Sequence, residues 1–169
     1  MSTLSNTAKA EAAKCFHENV MKTKANFQEI ISYFPKWTEA EGDENWCAAF
    51  VYYCWRKAQY EIPIMPAECV SCNLAGCGAW AEWAQADNRI EYYDAHKADT
   101  NPKQGDIVLF NGVFNGSEHD HIGIVIRVDH ASITVAEGNI NNISGILQRK
   151  RDEHIRAYHK ANANKAIWG

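Results

Sequence analysis

The stretch ENWCAAFVYYCW, residues 44–55, sets Cys47 between a tryptophan and an apolar run of helical character. A cysteine in the first turn of a buried helix meets exposed backbone N–H groups and the positive end of the helix dipole, both of which favour its thiolate. The same N–H groups suit the oxyanion of a tetrahedral intermediate, so the position fits a nucleophile for acyl transfer, while by residue type alone Cys47 reads as one more buried core sulfur. Such a sulfur needs a base.

His121 is the base that strand patterning singles out. In HIGIVIRV (121–128) the expected core face is Ile122, Ile124, Ile126 and Val128. His121, Gly123, Val125 and Arg127 then share the other face, with His121 accessible beside a glycine that keeps that face open. The next strand, SITVAE (132–137), follows a short turn around residues 129–131. A three-residue loop sets Val128 opposite Ser132, Gly123 opposite Glu137 and His121 opposite Asn139, which puts His121, Glu137 and Asn139 on one face. A two-residue loop turns Glu137 away, and the turn residues carry no signal that chooses between the two. In the odd register Glu137 or Asn139 accepts the Nδ1 proton of His121 and leaves Nε2 facing the sulfur.

His119, in the GSEHD loop, is the rival base; His17, His96, His130, His154 and His159 read as solvated or hydrogen-bonded structural groups. A second enzyme reading takes His119, His121 and Glu137 as a zinc set, but it leaves the Trp-Cys helix start unexplained.

The elements that must hold these residues divide into helices first and strands after. Residues 6–34 are rich in Ala, Lys and Glu, and Phe16, Val20, Phe27, Ile31 and Phe34 recur at helical steps, predicting one or two amphipathic helices stopped by Pro35. The acidic patch TEAEGDEN (38–45) then offers Asp43 or Asn45 as a cap for the helix that carries Cys47. From Trp46 to Lys57 that helix is apolar almost all round, with Cys47, Val51, Cys54, Trp55 and Ala58 on one stripe, which predicts a central, buried position. Residues 62–78 read as a loop, and 78–88 as a short helix burying Trp80 and Trp83. Short β-rich runs follow at 106–110, 121–128, 132–137, 145–150 and 154–159. The resulting expectation is an α+β domain with an antiparallel sheet.

A chain of 169 residues is one domain's worth, and 46% hydrophobic with 22% charged residues is ordinary for a globular protein. Its net charge of -4 argues against a nucleic-acid footprint and against attraction to an anionic membrane. The opening MSTLSNTAKAEAAK has no apolar h-region and no later run approaches about 18 apolar residues, so cytosolic synthesis with no Sec-type exit and no membrane span is expected. The six cysteines are then read as free thiols. Cys69, Cys72 and Cys77 have partial zinc-like spacing without a second pair, and read as a cysteine-bearing loop packed on the core.

WCAAF at a helix start, then PKQGDIVLF, DHIGIVIRV and AEGNI, in that order, resemble the CHAP domain, the cysteine- and histidine-dependent amidohydrolase/peptidase group of the papain-like superfamily. The resemblance runs from about Asp43 to Tyr158 and takes in CGAWAEW. It implies a papain-like fold with N-terminal helices packed on a sheet of about five to six strands. The divisions it suggests are a helical segment over 1–40, a catalytic domain over 41–160 and a tail over 161–169. It implies hydrolysis of an amide bond in bacterial peptidoglycan, with Cys47 as nucleophile, His121 as base, Glu137 orienting His121 and Asn139 steadying the site. Some members bind calcium near the cysteine, yet Glu39, Glu41, Asp43 and Glu44 do not fall in a spaced oxygen-ligand pattern, so no cofactor is expected. A hydrolase made without a leader would need release or delivery, as in a phage endolysin freed by a holin or an effector toxin with an immunity partner. The alternative is a papain-like fold kept as a non-catalytic module that binds muropeptides or a protein.

Overall fold

A computed structural model describes residues 4–16, 24–34, 46–86 and 89–161. Its helices are α1 (Leu4–Ala12), α2 (Lys24–Ile31), α3 (Cys47–Lys57) and α4 (Cys77–Ala86). The strands are β1 (Ile90–Asp94), β2 (Ile107–Phe110), β3 (His121–Val128), β4 (Ser132–Ile140), β5 (Ile143–Lys150) and β6 (Ile155–Ala161). All six form one antiparallel sheet in the order β1-β6-β2-β3-β4-β5. The architecture is α+β, with the helices gathered on the sheet.

Helix α3 is the centre of the core. Every residue from Cys47 to Trp55 is buried, as its all-round apolar sequence requires. Trp55 meets Trp80 and Trp83 of α4 at centroid distances of 5.7 and 6.5 Å, which docks the start of α4 beside α3. On its other side the helix meets the sheet through Ile107, Leu109, Ile122, Ile124 and Ala136. Each large side chain so buried contributes about 1.5–3 kcal/mol relative to exposure. A second cluster of Val108, Phe110, Val125, Ile133, Val135, Ile155 and Tyr158 covers the opposite face of the sheet. Strands buried on both sides need apolar runs, and IVLF of β2 is buried at all four positions.

The N-terminal segment packs on the same core, but as two helices of different bounds from those expected. α1 begins at Leu4 and ends at Ala12, and Phe16 lies beyond it yet is buried. The Phe16 N–H donates to Ser144 Oγ at 2.8 Å and the Ser144 N–H donates to the Phe16 carbonyl at 2.8 Å, tying the segment to β5. The Tyr53 hydroxyl donates to Glu11 Oε2 at 2.8 Å, tying α1 to α3. Val20, the Phe27 side chain, the acidic patch with its two capping candidates and the last eight residues lie outside the described residues. The N-cap position of α3 is Trp46, which offers no capping side chain.

Two further sequence expectations need correction. β1 was not foreseen: IEYYD buries only Ile90 fully, so it shows no clean alternation, and it exists because it pairs with β6 at the sheet's edge. The β3–β4 hairpin pairs Val128 with Ile133, leaving four residues between them rather than three. A bulge between Val125 and Arg127 takes up one residue, so Gly123 still pairs with Glu137. The bulge also turns Val128 from the expected α3-facing cluster to the opposite one. At the β4–β5 end, Asn141 and Asn142 both have positive φ (52° and 65°), the backbone of a two-residue hairpin turn that twists with the strands.

Candidate active site

Two glycines let the site assemble. A Cβ on Gly138 would lie 2.5 Å from Phe50 Cβ and 2.9 Å from the Trp46 ring, so only glycine lets the first turn of α3 settle on β4. That approach carries Cys47, between Trp46 and Phe50 in sequence, to the end of the sheet where β3 begins. A Cβ on Gly123 would meet Val135 at 2.4 Å and Glu137 Cγ at 2.9 Å. Gly123 therefore makes room for the Glu137 side chain; it does not keep a face open to solvent.

His121 Nε2 donates to Glu137 Oε2 at 2.6 Å, with both side chains buried. The nitrogens are used in the opposite sense to the expected one: Nε2 is committed to the carboxylate. Nδ1 is buried and, among the described residues, makes no hydrogen bond of its own, while the Cys47 sulfur and the His121 imidazole each favour the other's charged form. Asn139 is buried at positive φ (58°) where the β4–β5 pairing shifts, close to Glu137 in the chain. It does not take the His121 bond. His121 is 2% exposed, so the expected accessibility is also corrected. The Phe114 ring stacks on the imidazole with centroids 6.2 Å apart and planes 7° from parallel, and Phe110 lies 5.9 Å away.

The electrostatics favour a thiolate and an imidazolium. The Cys77 thiol, hydrogen-bonded to Cys47, is the largest influence on the Cys47 pKa; with His121 and the Ala48 N–H it outweighs burial and brings the thiol down to about 5. For His121, burial is the largest single influence and pulls the pKa down. Hydrogen bonds and charges from Cys47 and Glu137 together overcome it and raise the imidazole to about 9. Glu137, despite burial, is held below its usual range by Arg149 and His121.

Three contributors were not legible beforehand. Arg149 binds Glu137 in a fork, Nε to Oε1 at 2.8 Å and Nη2 to Oε2 at 2.6 Å. The β4–β5 pairing sets Gly145 opposite Glu137, and the period of two then puts Arg149 on the same face, a signal available only once that register is known. Cys77 opens α4 with its Sγ 3.5 Å from that of Cys47, a contact no local pattern encodes. Asp120 collects the backbone N–H groups of Val113, Phe114, Asn115 and Gly116 at 2.8–3.3 Å, and so fixes the turn that holds Phe114 over His121.

The other candidates separate. His119 sits in the loop at φ 51°. Among the described residues only Asp152, Glu153 and His154, all exposed, bring three potential metal-ligand atoms together, so the alternative zinc reading of His119, His121 and Glu137 finds no such cluster. Cys69 donates to the Ala79 carbonyl at 3.3 Å inside the core. The described cysteines, which are all six, are free thiols. The acidic residues weighed for calcium lie outside the described residues.

A sulfur at a helix start, coupled to an imidazole whose far nitrogen is bound by a buried carboxylate, is the arrangement of a thiol hydrolase on an α+β fold. The CHAP domain family matches residues 39–139, more than half of the sequence, and this chain belongs to that family, with its papain-like fold. The chain is also similar in fold to the molecule titled "The crystal structure of Ly7917". That likeness has a TM-score of 0.55 at 14% identity, covering 95% of this chain and 62% of the other. This chain therefore spans less than two thirds of that protein's length. No curated protein matches it. CHAP domains are generally amidase or peptidase hydrolases of peptidoglycan. Among the described residues no helix is long and apolar enough to cross a membrane.

Proposed function

We propose that this protein hydrolyses an amide bond of bacterial peptidoglycan through a thiol mechanism carried by Cys47, His121 and Glu137. The observation that supports the reading most is the line Cys47, His121, Glu137, Arg149, in which a depressed thiol faces an imidazole oriented by a carboxylate that is itself held. The Cys47 thiolate attacks the amide carbonyl. The backbone N–H groups at the start of α3 receive the oxyanion. His121 gives its proton to the leaving amine, then takes one from the water that releases the acyl-enzyme. Glu137 keeps the imidazole in one orientation, and Asn139 steadies the strand end beside it. Each proton in this scheme passes through the His121 imidazole.

The bond is either that between the lactyl group and L-alanine or one within the stem peptide or cross-bridge. Both suit an endolysin-like or effector-like role, in which the enzyme made in the cytosol reaches the wall after lysis or delivery. The near-complete burial of Cys47 and His121, with Phe114 stacked on the imidazole, favours the alternative of a non-catalytic binding module. One experiment separates the two: mass spectrometry of fragments released from purified sacculi by the wild type and by Cys47→Ala. New amine and carboxyl termini from the wild type alone are expected and name the bond. Equal release by Cys47→Ala would overturn the thiol mechanism, and release by neither protein would favour the binding module.

A further inference from the structure

Beyond the hydrogen bond that lowers the Cys47 pKa, the hydrolytic scheme gives Cys77 no step of its own, although its Sγ lies 3.5 Å from the Cys47 Sγ. A disulfide spans about 2.05 Å, so the two sulfurs need approach by only about 1.5 Å to bond. Each is the first residue of its helix, where side chains are less constrained by a preceding turn than in a helix interior. Cys77 is half-buried, whereas Cys47 is nearly enclosed. Three of the four other thiols are worse placed. Cys54 is seven residues along α3, about 10 Å down its axis; Cys69 is bound to the Ala79 carbonyl; Cys15 is exposed on the N-terminal segment.

We propose that Cys77 is the resolving thiol for Cys47, so that peroxide-oxidised Cys47 is captured as a Cys47–Cys77 disulfide which thiol reductants reopen. The proposal rests on Cys47 being the reactive thiolate of the preceding reading. In the first step the Cys47 sulfur attacks hydrogen peroxide. An S–O bond forms, the O–O bond breaks, and the departing hydroxide takes a proton as water; the sulfur loses two electrons and the peroxide gains them. In the second step the Cys77 sulfur attacks the Cys47 sulfenic sulfur. The S–S bond forms, the S–O bond breaks, and the hydroxide leaves with the Cys77 proton as a second water. Two thiols and one peroxide thus become one disulfide and two waters.

The electrostatics fit this order. At rest the Cys47 hydrogen bond and negative charge, together with burial, hold the Cys77 pKa well above the ordinary thiol value, so Cys77 stays protonated and does not compete for substrate. Oxidation of Cys47 to a neutral sulfenic acid removes that charge and frees Cys77 to attack. Capture at contact distance also keeps Cys47 from reaching the sulfinic acid, which reductants do not reverse.

The test treats the full chain with hydrogen peroxide, with and without dimedone as a sulfenic acid trap, and locates the products by peptide mapping with fragmentation. The wild type should lose two hydrogens, carry the bridge between residues 47 and 77, trap little dimedone and recover its free Cys47 in dithiothreitol. Cys77→Ser should trap dimedone at Cys47 and, without the trap, advance to sulfinic acid that dithiothreitol does not restore; Cys72→Ser should behave as the wild type. A bridge from Cys47 to any other cysteine, or as much dimedone on wild-type Cys47 as on Cys77→Ser, overturns the proposal. Wild-type mapping needs no variant to fold. Because it measures sulfur chemistry and not hydrolysis, a bridge found in a protein that releases nothing from sacculi would sink the proposed substrate and leave Cys77 as resolving thiol.

Discussion

Two regions of one sheet each bury an imidazole, with opposite results. His159, on β6, is fully enclosed against Tyr92, and among the described residues neither of its nitrogens is hydrogen-bonded. Burial, with a smaller contribution from the charge of His119, drives its pKa down to about 3, so it is neutral. His121, on β3, is as deeply placed but has a carboxylate on one nitrogen and a thiol near the other, and its pKa rises to about 9. Burial alone therefore produces a neutral spacer. A charged imidazole in the interior requires built partners, and those partners are what mark the β3 region as the working one.

Removing the partner should make the first region resemble the second. Glu137→Gln leaves the imidazole without its anion, and kcat/KM on sacculi-derived peptides should fall by about 10²- to 10⁴-fold, the range for loss of oriented acid-base catalysis. A variant retaining wild-type turnover would show that Glu137 does no orienting.

The wild-type pH profile provides the next contrast. The pair is thiolate and imidazolium between about 5, where Cys47 is protonated, and about 9, where His121 loses its proton, so kcat/KM should plateau there and fall on both sides. These limbs belong to the coupled pair. Glu137→Gln should pull the alkaline limb down toward the ordinary imidazole value. Alkylation of Cys47 by iodoacetamide across pH reads the acid limb without any substrate.

Arg149→Met acts in the opposite sense on that limb. Loss of a cation near the imidazolium should move the alkaline limb up, while the buried Glu137 carboxylate loses one of its two partners. The expected cost is about 2–3 kcal/mol of stability by urea denaturation, below that of breaking a fully buried pair because Arg149 is partly exposed. An unchanged stability would mean that the fork is incidental.

The smallest effect lies in the other region. The folded pKa of His159 is depressed, so between about 3 and the unfolded value near 6.5 the unfolded chain binds the extra proton. Stability therefore rises with pH through that window and is lost as pH falls below 6.5, at a limiting slope of about 1.4 kcal/mol per pH unit. His159→Phe, which keeps a ring against Tyr92, should flatten this loss between pH 6.5 and 5 in thermal melts. An equal acid sensitivity in the variant would assign it to other groups.

How far the sequence reaches can be read from the same residues. The burial of α3 and the placement of Cys47 at its start follow from an unbroken apolar run, because a helix apolar on every side has nowhere to sit but the core. The strand assignments for β2 to β6 follow from short β-rich runs bounded by turn residues. The pairing of Gly123 with Glu137 was also anticipated, but through a three-residue loop that the protein replaces with a longer loop and a bulge. Register depends on where a strand deviates, and a bulge is a tertiary choice that leaves little mark on local composition.

What only the folded chain decided is what lies across those pairings. The use of Nε2 rather than Nδ1 depends on which side of the imidazole the α3 sulfur approaches, which is governed by the fit of Trp46 and Phe50 against Gly138. Arg149 reaches Glu137 from a third strand, and Cys77 reaches Cys47 from another helix, 30 positions away. Periodicity reports what each segment turns toward the core. It does not report which segment waits there, and contacts between segments carry the charges of this site.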